Sequence, residues 1–67
     1  MVIYIALPVG SYGSWRVQMS GRKEEGRATE EEAVELAIGL ARAVENFGSE
    51  ALVKIERRDG SWETLRG

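Results

Sequence analysis

Thr29-Glu30-Glu31-Glu32-Ala33-Val34-Glu35-Leu36-Ala37-Ile38-Gly39-Leu40-Ala41-Arg42-Ala43-Val44-Glu45-Asn46-Phe47-Gly48 is the stretch that decides the fold. Ala33, Leu36, Ala37, Leu40, Ala41, Val44 and Phe47 recur at steps of three and four, which lays one apolar face along a helix. Thr29 and Glu32 have capping-box spacing: the hydroxyl can accept from an orphan amide, and the carboxylate can reach back to the Thr29 amide. Glu30, Glu31 and Glu32 stand where the helix dipole favours negative charge. Gly48 follows as a left-handed stop. The pattern predicts a helix over 30–47. Val34 and Ile38 fall about 100° round from the centre of the stripe, on its flank.

A helix that is apolar on one face needs a layer to cover it, and the flanking sequence supplies strands. Upstream, Val2 to Leu7 is apolar on both alternating sets, as in a well-covered strand, and Pro8 ends it. Residues 9–13 read as a turn or short loop. Ser14 to Ser20 alternates cleanly, with Trp15, Val17 and Met19 on one face and Arg16, Gln18 and Ser20 on the other. Gly21-Arg22 is a turn, and Lys23 to Ala28 is a polar returning strand suited to a sheet edge.

Downstream, Ala51 to Arg58 and Ser61 to Arg66 are strands joined at Asp59-Gly60, the dipeptide of a two-residue type I′ hairpin. That turn would pair Arg57 with Trp62, Ile55 with Thr64 and Val53 with Arg66. Trp62 would then face the core with Val53 and Ile55, and Leu65 would lie on the open face with Tyr4, Arg16, Gln18, Lys54, Glu56 and Glu63. The expected architecture is α+β: one helix on one face of an antiparallel sheet, in the order ββ(β)-α-ββ, as a single two-layer domain over 1–67.

Several of these pieces resemble a known family. Leu7-Pro8, Gly13-Ser14-Trp15-Arg16-Val17, Thr29-Glu30-Glu31-Glu32-Ala33-Val34, Ala41-Arg42 and Asp59-Gly60 together resemble the small bacterial family termed domain of unknown function 2188. Its pattern is a Gly-x-Trp-x-Val strand, a Thr-x-x-Glu-Ala helix start and a late Asp-Gly hairpin. The resemblance covers nearly the whole chain, with Trp62 standing where an aliphatic residue is expected. It implies the fold and brings no catalytic residues with it.

Size and composition narrow the chemistry. The chain has 67 residues with no cysteine and no histidine. A domain this small buries roughly 60% of the surface its unfolded chain exposes, and no disulfide can staple it. Without His or Cys there is no Ser-His-Asp or Cys-His set, and a zinc site would need carboxylates alone. Gly10, Gly13 and Gly21 lie between strands, not between a strand and a helix, so they form no phosphate loop. The carboxylates at the helix start are explained by capping. Residues 1–7 are apolar but far short of a membrane span and lack the marks of a signal peptide, so they read as a buried first strand.

The expectation is therefore a cytoplasmic, non-enzymatic interaction module with no cofactor, binding a protein partner or self-associating as a homodimer. Surplus apolar side chains motivate it, with Val34, Ile38 and Leu65 as the candidate patch. The runner-up is a nucleic-acid binder. Net charge is −2, but it divides as +3 over residues 1–23, −6 over 24–50 and +1 over 51–67. Tyr4, Arg16 and Lys54 would form the binding face, with Arg22, Lys23, Arg57 and Arg58 around it. A third reading is an acidic-faced regulator that docks Glu24, Glu25, Glu30, Glu31, Glu35 and Glu45 on a basic protein.

Overall fold

Ile3 and Ile5 are fully buried, and the strand they define, β1 (Val2–Ala6), runs through the middle of the sheet. The structure is a computed structural model that describes residues 1–11 and 13–66. After β1 come β2 (Trp15–Met19), β3 (Arg22–Arg27), the helix α1 (Glu30–Asn46), β4 (Leu52–Glu56) and β5 (Trp62–Arg66). The sheet order is β3-β2-β1-β4-β5, with α1 against one face. The α+β architecture is as expected. The polar segment after Gly21 is a strand, and it lies at an edge. Tyr12, within the loop expected at 9–13, lies outside the described residues. A Cβ on Gly13 would collide with the Val9 backbone, so that loop closes only with glycine there.

The sheet is mixed rather than antiparallel throughout. β1 pairs antiparallel with β2 but parallel with β4, with Ile3 beside Val53 and Ile5 beside Ile55. Parallel neighbours need a crossover long enough to return the chain to the same end. Here β2, β3 and α1 make that return. A strand apolar on both alternating sets fits the central position this creates.

Thr29 caps α1 from extended backbone, its hydroxyl oxygen accepting from the Glu32 amide at 3.1 Å. The Glu32 carboxylate accepts from the Thr29 hydroxyl at 3.0 Å rather than from the Thr29 amide, so only the hydroxyl half of the expected capping box forms. Ala33, Ala37 and Ala41 are fully buried along the line of closest approach to the sheet. Such small side chains let the helix lie close over Ile3, Ile5, Val53 and Ile55, the largest fully buried side chains. Burying each of those four contributes about 1.5–3 kcal/mol. Leu36, Leu40, Val44, Val34 and Ile38 are half-buried on the two flanks and pack against the same core.

Phe47 departs from the expected stripe. The helix ends at Asn46, and Phe47 is the cap, with φ −87° and ψ 3°. Past that point the backbone no longer carries side chains round at helical spacing, and Phe47 is 91% exposed. Gly48, at φ +89°, makes the left-handed stop.

The last hairpin also differs, with larger consequences. The Gly60 amide donates to the Arg57 carbonyl at 3.0 Å and the Arg57 amide to the Ser61 carbonyl at 2.8 Å. Gly60 has φ +88°, while Asp59 keeps a negative φ. This is a type I turn closed by one left-handed glycine, a three-residue loop instead of the two-residue type I′ turn. The register moves by one: Glu56 pairs with Trp62, Ile55 with Glu63 and Lys54 with Thr64. A shift of one residue turns every side chain to the other face. Trp62 therefore stands on the open face, and Glu63 on the helix side. A bulge then restores the expected Val53–Arg66 pair. Leu65 is the extra residue, and it packs against the core rather than lying on the open face. A second bulge interrupts the β2–β3 pairing between Val17 and Met19.

Candidate interaction surface

The pleat puts two cross-strand rows on the open face. Gln18, Tyr4, Lys54 and Thr64 lie side by side across β2, β1, β4 and β5. One step along the strands, Arg16, Ala6, Glu56 and Trp62 form the next row. Val2 and Leu52 extend the face beyond the first row.

Two aromatic rings dominate it. Tyr4 and Trp62 meet edge to face, with centroids 5.4 Å apart and planes at 79°. They are 40% and 46% exposed, and Leu52, one row beyond Tyr4, is also exposed. Each ring buries more than half of its area yet leaves a paired aromatic surface open to water.

The polar groups on the same face differ in how far they are committed. The Arg16 guanidinium donates through Nη2 to the Leu7 carbonyl at 2.9 Å, and the Leu7 amide donates to Glu56 Oε1 at 3.1 Å. Together they fasten the chain where it leaves β1. Gln18 donates through Nε2 to Glu24 at 2.5 Å. Lys54 takes part in no ion pair among the described residues.

Tyr4, Arg16 and Lys54, the residues expected to share a face, do share it. Tyr4 and Lys54 are direct neighbours, and Arg16 lies one row on, across from Ala6. Trp62 belongs with them, against the expectation that it faces the core. Its signal in the sequence is the ambiguity of the Asp-Gly turn, which serves two loop lengths of opposite consequence. Val34, Ile38 and Leu65 are not gathered into an exposed patch; all three are half-buried against the core.

Among the described residues, four of the eleven carboxylates have an arginine partner. Glu25 lies 3.2 Å from Arg22 and 3.9 Å from Arg27, Glu30 lies 3.5 Å from Arg57, and Glu45 pairs with Arg66. The Glu63 carboxylate, 2.9 Å from Arg57 Nε, holds that guanidinium above its ordinary pKa, with Glu30 adding to the effect. In the turn, the Ser61 hydroxyl and amide both donate to Asp59 and lower its pKa below the ordinary 3.8.

An open hollow of about 560 Å³ lies beyond the end of α1, lined by Glu45, Ser49, Glu50, Ala51, Leu52 and Arg66. Of its three charged residues, Glu45 and Arg66 pair with each other and Glu50 is the third. Among the described residues no cluster of three or more potential metal ligands occurs, and no helix is long and apolar enough to cross a membrane. Comparison with protein-family models, with curated proteins and with solved structures found no match.

Proposed function

We propose that this chain is a non-enzymatic interaction module that engages a protein partner or itself through the open face of its sheet. The exposed Tyr4–Trp62 pair carries the reading. Aromatic side chains supply much contact area with few torsions to freeze, and they are enriched at the centres of protein interfaces. The face around them is mixed in charge, as protein-binding surfaces are. A chain without His or Cys has little with which to activate a nucleophile. A cytoplasmic setting belongs to the same proposal and is supported by the cysteine-free composition.

Photo-crosslinking tests this reading. A photoreactive residue at Thr64, inside the face, should give a discrete adduct in cells that express the protein, and one at Glu35 on the exposed side of α1 should not. Equal labelling from both positions, or from neither, would remove the open face as the binding surface.

Nucleic-acid binding is the second reading, favoured by the grouping of Tyr4, Trp62, Lys54 and Arg16 on one side of the sheet. Against it, Arg16 is committed to Leu7, and Glu56 and Glu24 would repel a phosphate backbone. Amide shifts on Tyr4 and Lys54 that appear with short DNA or RNA and fade with salt would promote it.

A further inference from the structure

Row by row, the open face is complementary to itself. We propose that its occupant is a second copy of this chain, with the two sheets packed face to face about a two-fold axis that crosses the strands at the level of Ile5 and Ile55. The proposal rests on the open face being the binding surface and names what binds there.

Such an axis lays each strand over its own counterpart with the direction reversed. Sheets packed face to face keep their strand directions within about 30° of one another, which this arrangement satisfies. The row of Gln18, Tyr4, Lys54 and Thr64 in one copy then meets the row of Arg16, Ala6, Glu56 and Trp62 in the other. Three of the four meetings are favourable in kind, and the fourth is neutral: the Tyr4 ring comes over the position of Ala6, whose side chain is already buried within its own chain. An amide lies over a guanidinium. An ammonium lies against a carboxylate, and an indole over a threonine. The two-fold axis makes every contact twice.

An axis running along the strands is the alternative. On β4 it would set Lys54 on Lys54 and Glu56 on Glu56, which is strongly unfavourable; midway between β1 and β4 it would bring Lys54 to Tyr4 and Glu56 to Ala6, leaving both charges without a counterpart.

The size of the core points the same way. Among the described residues, only Ile3, Ile5, Ile55 and Val53 are large and fully buried, and the rest of the buried centre is mostly alanine. Domains below about 70–80 residues rarely find enough stability in one such core, and oligomerisation is one way they add to it. The face measures about 24 by 17 Å from strand spacing and rise, or roughly 400 Å² per copy. That is below a standard interface of about 800 Å² per partner, so the pairing is transient and depends on concentration.

Charge exchange across the axis tests the proposal. The variants are Lys54→Glu and Glu56→Lys, each followed by sedimentation velocity over a concentration series, with circular dichroism to confirm folding. The wild type should associate as concentration rises. Either variant alone places like charges together twice and should associate at least about tenfold more weakly. In an equimolar mixture of the two variants, a carboxylate faces an ammonium at both meetings, so association should return.

A wild type that stays monomeric, or a mixture that fails to recover, overturns the second copy as occupant. Glu56→Lys also removes the acceptor of the Leu7 amide. Should it fail to fold, Glu56→Gln replaces it, keeping an acceptor for the Leu7 amide while removing the charge. The proposal then requires Lys54→Glu to associate more tightly with Glu56→Gln than with itself, since two like-charge meetings become one neutral and one attractive, and it falls otherwise. A Thr64 photo-adduct to some other molecule from a monomeric protein would overturn this inference while leaving the open-face reading intact. Absence of any adduct would end that reading as well.

Discussion

Trp62, on an edge strand, touches Tyr4, on the central strand, over the top of β4. The rings meet 5.4 Å apart although a whole strand separates their backbones. The pair thus ties β5 to the middle of the sheet by a contact that the backbone ladder does not make. In a double-mutant cycle of Tyr4→Ala and Trp62→Ala, urea denaturation should reveal a coupling of about 0.5–1.5 kcal/mol. A coupling of zero would mean that the rings are neighbours without interacting.

Two glycines should respond to alanine with opposite signs. Gly60 has φ +88° and open space around its missing Cβ, so Gly60→Ala loses stability through the backbone alone, by about 1–2 kcal/mol. Gly39 lies on the exposed side of α1, also with open space, and Gly39→Ala should add about 0.5–1 kcal/mol. Thermal melts of the two variants against the wild type decide this; shifts of the same sign would contradict it.

The Asp59 turn carries a pH dependence with a definite direction. Ser61 lowers the Asp59 pKa, so folding favours the charged carboxylate. Its contribution is complete above the ordinary value of 3.8 and is lost as pH falls through the lowered, folded-state value. The stability difference between wild type and Asp59→Ala should therefore be constant near neutrality and shrink only in acid below about pH 3.8. A difference that begins to shrink at about pH 6 would point to another group.

The alanine line of the helix should resist enlargement. Ala37 has no exposed surface, so Ala37→Leu should destabilise by about 1–3 kcal/mol through overpacking. Ala43 faces solvent on the same helix, and Ala43→Leu should stay within about 0.5 kcal/mol of wild type. Equal effects at both sites, measured by urea denaturation, would show that the helix does not lie as close to the sheet as its buried alanines imply.

Phe47→Ser should change stability by no more than about 0.5 kcal/mol, since the ring is 91% exposed. A buried phenylalanine truncated to a small side chain would instead lose about 3–5 kcal/mol, and a loss of that size in a thermal melt would place the ring inside.

Much of this architecture is legible in the chain because local signals agree with one another. The Thr29 cap, the alanine and leucine stripe and Gly48 all specify the same helix. The alternation of Trp15, Val17 and Met19 specifies the same strand from both faces. What the chain does not disclose locally is parity. Asp59-Gly60 suits a two-residue loop with two left-handed positions and a three-residue loop with one. Ser61 bonding back to Asp59 is part of what fixes the second. That choice carries Trp62 out and Leu65 in, and with them the character of the open face. The parallel pairing of β1 with β4 is similarly non-local, since Ile5 and Ile55 become neighbours only once the helix has returned the chain. Phe47 keeps helical spacing in the sequence but stands one residue past the last that is helical.

The two bulges bear on how this protein survives at high concentration. Both edge strands, β3 and β5, meet the sheet through a ladder with one residue out of step, and β3 is charged at Arg22, Lys23, Glu24, Glu25 and Arg27. An incoming strand from another molecule would find neither a regular row of free amides and carbonyls nor a neutral surface against which to dehydrate. Growth by edge addition, the route by which small sheet proteins become fibrils, is hindered at both ends.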